Sequence, residues 1–160
     1  MEFDKIVEFI QSIARSEVKV DTNSTPRGVL IDSNDLLSIS SQLHQHPSIY
    51  FDMLSCITGI DNGPEAKTME VVYHLYSIPC NVSFVLKVIL PRENPEVDSL
   101  CSIWKSANWL EREVYDMFGI QFKNHPDLRR ILMPNDWKGY PLRKDYEHEE
   151  KYRGIDIKSS

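Results

Sequence analysis

Val82-Ser-Phe-Val-Leu-Lys-Val-Ile-Leu90 is the stretch on which the fold turns. Val82, Phe84, Leu86, Val88 and Leu90 stand at alternate positions, with Ser83, Val85, Lys87 and Ile89 between them. That two-residue period belongs to a strand with one face in a core. Upstream, Met69–Tyr76 is rich in β-branched and aromatic residues, and Phe51–Ile60 is mostly apolar. Ser77-Ile-Pro79 and Asp61-Asn-Gly63-Pro64 separate these runs as turns. Connections this short predict antiparallel neighbours, because a parallel crossover takes about a dozen residues or more.

On the N-terminal side, Phe3, Ile6, Val7, Phe9, Ile10 and Ile13 have helical spacing. A short strand follows at Val18–Val20, then a polar loop from Asp21 to Arg27 and a strand at Val29–Ile31. Ser33 or Asn34 can cap a helix reaching Gln45, with Leu36, Leu37, Ile39 and Leu43 inward, and Pro47 ends it. On the C-terminal side, Leu100, Ile103, Ala107, Leu110, Val114 and Met117 step by three and four, predicting a helix from Val97 to Phe118. Gly119 suits a left-handed C-cap. The fold class is α+β: a mainly antiparallel sheet packed with helices, followed by an extended C-terminal tail. The expected division is a core domain over 1–118 and a partner-binding tail over 119–160.

Composition narrows the function. The chain has 160 residues, 41% of them apolar and 26% charged, as in an ordinary single globular domain. Its longest apolar run, Val82–Leu90, is far short of the roughly 20 residues that span a bilayer, and the acidic N-terminus does not suit a signal peptide. Cys56, Cys80 and Cys101 are odd in number and never paired as Cys-x-x-Cys, which argues against a disulfide framework, a zinc ribbon or an iron–sulfur cluster. Cys56 and Cys80 fall in strand-like stretches and are expected in the core. Glycines at 28, 59, 63, 119, 139 and 154 form neither a dinucleotide fingerprint nor a phosphate loop, so no cofactor is expected.

The net charge is −6, but residues 119–144 carry six bases and two acids, a local +4 that leaves −10 elsewhere. An acidic body is a poor general nucleic-acid binder. A basic tail on it suggests a protein partner. The tail's aromatics, Phe122, Trp137, Tyr140, Tyr146 and Tyr152, argue against plain disorder. The run Lys144–Lys151 is expected as a solvated end, and His44 and His46 as charge partners at a helix C-terminus.

Trp109-Leu-Glu-Arg-Glu-Val-Tyr-Asp-Met-Phe-Gly119 sets Glu111, Arg112, Glu113 and Asp116 at the end of the last helix. With Leu110, Val114 and Met117 inward, Trp109, Arg112, Glu113 and Asp116 share another face, and Arg112 can pair with Asp116 one turn on. Such a face either meets water or meets a partner. A metal or acid–base set of Glu111, Glu113, Asp116 and His125 is the weakest alternative, because no metal-ligand spacing such as Glu-x-x-His is present.

Glu111-Arg-Glu113, Asp116, two apolar residues, His125, Arg129 and Ile131-Leu132 together resemble the signature of the C-subunit family of the respiratory NADH:quinone oxidoreductase, complex I. Asp136-Trp-Lys-Gly-Tyr-Pro-Leu-Arg-Lys-Asp-Tyr146 is similar to that family's ending. The resemblance implies a non-catalytic peripheral-arm subunit with neither cluster nor nucleotide, on the cytoplasmic face of the bacterial inner membrane. It implies packing against the large quinone-site subunit and cluster-bearing neighbours, with only indirect membrane association. It also implies assembly contacts at Glu111, Arg112, Glu113, Asp116, His125, Arg129, Trp137, Tyr140 and Arg143. Two rivals keep other machines in view: the equivalent subunit of a membrane-bound hydrogenase or of a dehydrogenase with another electron donor, and a free-standing protein-interaction module.

Overall fold

The computed structural model describes residues 3–22 and 25–157. The elements run α1 (Phe3–Ile13), β1 (Lys19–Asp21), β2 (Gly28–Ile31), α2 (Leu36–Gln45), β3 (Met53–Asp61), β4 (Thr68–Ser77), β5 (Val82–Pro91), β6 (Glu96–Asp98), α3 (Ala107–Phe118), β7 (Gln121–Lys123), β8 (Lys151–Tyr152) and β9 (Ile155–Asp156). Five strands form one sheet in the order β1-β2-β5-β4-β3. β3, β4 and β5 are antiparallel in sequence, as their short turns require. β2 lies parallel to β5, with Val29 beside Leu86. That exception is possible because α2 and the β3–β4 hairpin lie between the two strands and give the chain room to cross over.

One sheet face carries the core. Met69, Val71, Tyr73 and Leu75 of β4 stand opposite Leu90, Val88, Leu86 and Phe84 of β5, and all eight are buried. Ile6, Val7 and Ile10 of α1 and Leu36, Ile39 and Leu43 of α2 join the same cluster. Each fully buried side chain of this size contributes about 1.5–3 kcal/mol. Cys56 departs from expectation: it alternates onto the other face of β3 and is exposed, while Cys80 is half-buried in the β4–β5 turn.

Two helix boundaries also depart from the sequence reading. α2 begins at Leu36 with Asp35 at its N-cap, and Asp35 spends its carboxylate on the amides of Arg15 and Ser16 instead of capping. The helix expected from Val97 starts only at Ala107. Residues 96–98 form β6, parallel to β7, and Leu100, Trp104 and Ala107 follow in tight turns. Those turns bond Ile103 and Trp104 to the carbonyl of Leu100 and Ala107 to that of Trp104, so they repeat the three- and four-residue spacing of a helix. His44 and His46 also brace the end of α2: His44 Nδ1 lies 2.9 Å from the Phe51 carbonyl and His46 Nδ1 accepts the Ser48 and Ile49 amides.

α3 lies on β3 at a point made for it. A Cβ at Gly59 would come within 2.7 Å of the Phe118 ring and 3.0 Å of Val114. The packed core continues beyond α3, since Ile120 and Phe122 belong to it. Among the described residues, no helix is long and apolar enough to cross a membrane.

Candidate functional site

The charged end of α3 meets neither water nor the outside alone: most of it faces the chain's own tail. Glu111 and Asp116 are fully buried and Arg112 is 7% exposed, while Glu113 is exposed. Asp116 Oδ2 accepts the amides of Ile131, Leu132 and Met133 at 3.0, 2.7 and 2.8 Å. Its Oδ1 accepts from Arg130 Nη1 at 2.7 Å. Burial alone would raise the Asp116 pKa, but the three amides and Arg130 together outweigh it and hold the carboxyl below its ordinary value. Arg112 therefore does not pair with Asp116, as helical spacing had suggested; its Nε donates to the Arg129 carbonyl at 3.1 Å.

The tail follows α3 in register. His125 meets the Asn108 carbonyl, Arg129 meets Arg112 and Met133 meets Asp116, each pair separated by 17 residues. Four residues advance a helix by about 6 Å but an extended chain by roughly 13 Å. The tail must fold at every step to keep pace. It does so through the Asp127 amide donating to His125 Nδ1 and the Arg129 amide donating to the Asp127 carbonyl. We call residues 124–146 the strap.

The strap also closes the helix end. A helix leaves its last four carbonyls without internal partners. Here Tyr115 O accepts the Gly119 amide, Asp116 O accepts Arg130 Nη1, Met117 O accepts the Leu142 amide, and Phe118 O accepts Arg143 Nε. The basic side chains also complement the helix dipole. Gly119 caps with φ +77°, as its position in the sequence suggested. Its missing side chain matters twice, because a Cβ would lie 2.5 Å from the Tyr140 ring. The Arg130 and Arg143 guanidinium groups lie 5.1 and 4.8 Å from the Tyr140 ring centre.

A second carboxylate holds the far end. Asp61 accepts Arg92 Nε at 2.8 Å, Arg92 Nη2 at 2.9 Å and the Lys144 amide at 2.9 Å. The Arg92 guanidinium holds its carboxyl well below the usual range, against the opposing effect of burial. Arg92 also bonds Asp145. Residues 144 and 145 are thus tied to the sheet, which corrects the reading of Lys144–Lys151 as a purely solvated run. Trp137 is half-buried and donates to the Tyr146 hydroxyl at 2.9 Å, with its ring 5.4 Å from that of Tyr152. Arg129 stays exposed, paired with Asp127 at 2.9 Å.

Glu111 lies in a different environment. It accepts from Ser99 Oγ at 2.6 Å and from the Leu100 amide at 2.7 Å, with Cys101 Sγ at 3.5 Å. Burial pushes its pKa up to about 6, against those hydrogen bonds, and burial likewise pushes the Cys101 thiol up to about 11. The ligating atoms of Cys101, Glu111 and His125 lie within 4.8 Å of one another, the spacing of a possible metal group. Its hydrogen bonding opposes that use. His125 Nδ1 accepts the Asp127 amide, so the ring hydrogen sits on Nε2 and points at the Asn108 carbonyl, leaving Nε2 no lone pair for a cation.

Of the residues singled out in the sequence, Glu111, Arg112, Asp116, His125, Arg129, Tyr140 and Arg143 converge on α3 and the strap. Glu113 is exposed on α3, and Trp137, also in the strap, packs with Tyr146 and Tyr152 instead. Sequence reading missed Asp61, Arg92 and Arg130. Asp61 had the look of a turn residue, and the partner that gives it meaning is 83 residues away. An α+β domain whose last helix is bound by its own C-terminal strap defines the class of protein.

Comparison with known proteins then gives the family. The family described as respiratory-chain NADH dehydrogenase, 30 kDa subunit, matches residues 29–152. The C-subunit of NADH-quinone oxidoreductase from Chlorobium phaeobacteroides is 40% identical over 139 residues, covering 86% of this chain and 83% of that one. Its Geobacter sulfurreducens counterpart is 47% identical over 112 residues, covering 67% and 69%. Among solved structures, the trypsin-resistant fragment (1–134) of Nqo5 has a TM-score of 0.65 at 29% identity, covering 80% of this chain and all of that one. A chain of an archaeal membrane-bound sulfane sulfur reductase reaches a TM-score of 0.73 at 20% identity over 90% of this chain and 85% of that one, a likeness of fold alone. The chain belongs to the C-subunit (30 kDa) family of NADH-quinone oxidoreductase.

Proposed function

We propose that this chain is a cofactor-free scaffold of the peripheral arm of an NADH-quinone oxidoreductase. It takes no part in the chemistry and holds the quinone-reducing module in place while electrons pass from NADH to quinone. The observation that carries this reading is the strap: Asp116 is spent on three strap amides and Arg130. A fully buried carboxylate bonded on both oxygens is closed to a substrate, and Glu111 beside it is fully buried and bonded too. In this reading the division of labour follows the chain, with the core as folded support and the tail as the part that meets other subunits. Glu111, Asp116 and His125 set the shape of the contact region, while Glu113, Arg129, Trp137, Tyr140 and Arg143 border it. The partners are the large quinone-site subunit and its cluster-bearing neighbours. Attachment to the cytoplasmic face of the membrane is indirect, through those subunits.

A tagged full-length chain expressed in place of the native copy tests this. The expected result is co-migration with NADH-quinone oxidoreductase subunits on native gels of solubilised membranes. Removal of residues 124–160 should leave a cooperatively folding core that no longer co-migrates, since Ile120 and Phe122 remain to complete the packing. Normal incorporation of the truncated chain would overturn the assignment of assembly to the tail. NADH oxidation by the purified chain alone would overturn the scaffold reading.

A further inference from the structure

Arg112 is the odd charge at this site. Only 7% exposed, it uses Nε on the Arg129 carbonyl and lies 5.0 Å from the Trp109 ring centre. Among the described residues it forms no ion pair with a carboxylate: Asp116 belongs to Arg130, and Asp127 to Arg129. A guanidinium carries five N–H donors in a fixed fork, and one of them is spent here. Among the described residues no partner takes its terminal nitrogens, and they are not wholly sealed from solvent. A nearly desolvated guanidinium with its terminal nitrogens unspent matches one chemistry best, the two oxygens of a carboxylate taken side by side.

Its surroundings select the carrier of that carboxylate. Trp109 is 65% exposed and Leu132 is 59% exposed. Leu132 is fixed by its amide on Asp116, about two turns and roughly 10 Å along α3 from Trp109. Arg112 lies against Trp109 and bonds the carbonyl of Arg129, three residues before Leu132, with the exposed Arg129 and Glu113 at the border. A large aromatic and an arginine, held rigid and flanked by an exposed leucine, have the composition of the few residues that dominate protein–protein binding. Continuous apolar contact on both sides of a charge suits a polypeptide better than a lipid headgroup.

We propose that Trp109, Arg112 and Leu132 form a docking site for a segment of a neighbouring subunit that presents an aspartate or glutamate flanked by apolar side chains. Arg112 takes the carboxylate and the two exposed side chains cover its flanks. This rests on the scaffold reading above and adds the contact face and the chemistry of its occupant.

The test uses the full chain in the native complex. A photo-crosslinking phenylalanine derivative at position 109, and separately at 132, should yield one product with another subunit, mapping to a peptide that contains Asp or Glu. Trp109→Ala and Leu132→Ser should each lower the complex-bound fraction at least tenfold, with the isolated chain's melting temperature moved by less than about 2 °C. Arg112→Lys should retain more assembly than Arg112→Gln, because it keeps the charge while losing the fork. Crosslinks only to lipid, or to a second copy of this chain, would overturn the proposal. So would Trp109→Ala and Leu132→Ser chains that assemble as well as the parent. If the parent chain itself fails to enter the complex, the scaffold reading has failed instead, and the two failures are told apart by that control.

Discussion

The sheet core and the strap are two ways of fixing a chain. In the core, Tyr73, Phe84, Leu86 and Met69 are fully buried and held by removal of apolar surface from water. The strap, residues 124–146, contributes little to that cluster and is held by polar groups: Asp116 on three amides, Asp61 on a fourth, and two arginines on helix carbonyls. Burial is non-directional and tolerates adjustment. Hydrogen bonds to a buried carboxylate are directional, and losing one partner leaves the other unsatisfied. The strap's position is therefore more sharply defined and more easily lost than its lack of regular structure suggests.

The largest effect expected on this contrast is at Asp116. With one oxygen where there were two, Asp116→Asn sets an NH2 donor against either the three amides or Arg130, and it removes the buried charge that pairs with half-buried Arg130, a loss of about 3–5 kcal/mol. The amides of Ile131, Leu132 and Met133 should lose their hydrogen-exchange protection while those of β4 and β5 keep most of theirs. Leu86→Ala, costing about 2–5 kcal/mol, should lower protection everywhere in the sheet. If both variants lower it uniformly, core and strap are one cooperative unit and the contrast fails.

A pH titration separates the two carboxylates of α3. Asp116 titrates lower in the folded chain than in the unfolded one, so its contribution is present above the ordinary aspartate value near 3.8 and is lost as pH falls through its lowered one. Glu111 has the opposite sign. Between 4.5 and about 6 the folded chain keeps a proton that the unfolded chain has released, so its contribution falls as pH rises through that window. Carried to neutral pH, that difference amounts to about 2 kcal/mol. Glu111→Gln should flatten the fall in melting temperature between pH 4.5 and 7; an unchanged slope would show that Glu111 is not its source.

Gly119→Ala should cost about 1–2 kcal/mol for the left-handed backbone alone, more if Tyr140 cannot move aside, with the near-ultraviolet tyrosine signal as readout. The smallest effect is at the exposed Asp145, where Asp145→Ala removes one bond to Arg92 and should leave the melting temperature almost unchanged. A larger loss would mean that the far end of the strap depends on that residue as much as on Asp61.

Legibility followed the same division. Strands with two-residue alternation and the glycine cap of α3 were open to reading, because period and backbone geometry are local. The parallel β2–β5 pair was not, since nothing in four residues of β2 says which strand it will find. The turns at Leu100–Ala107 imitated a helix because their bonds span three and four residues. At the site, the charged residues were visible but their destination was not. Sequence spacing offered Glu111 and Asp116 a choice between water and a foreign partner. It could not represent a third course, in which the chain supplies the partners itself, for Asp116 from 14 residues or more downstream and for Glu111 from Ser99 and Leu100 upstream.

The offset of 17 residues shared by three contacts between α3 and the strap has a consequence for how this part of the chain can vary. Irregular connections ordinarily absorb insertions and deletions with little harm. Here one residue gained or lost between Gly119 and His125 would slide His125, Arg129 and Met133 past their partners on α3, as a slip of one tooth disengages a rack. The segment with the least helix or strand should therefore be among the least forgiving of changes in length, while the turn at Ile78–Asn81 should accept them.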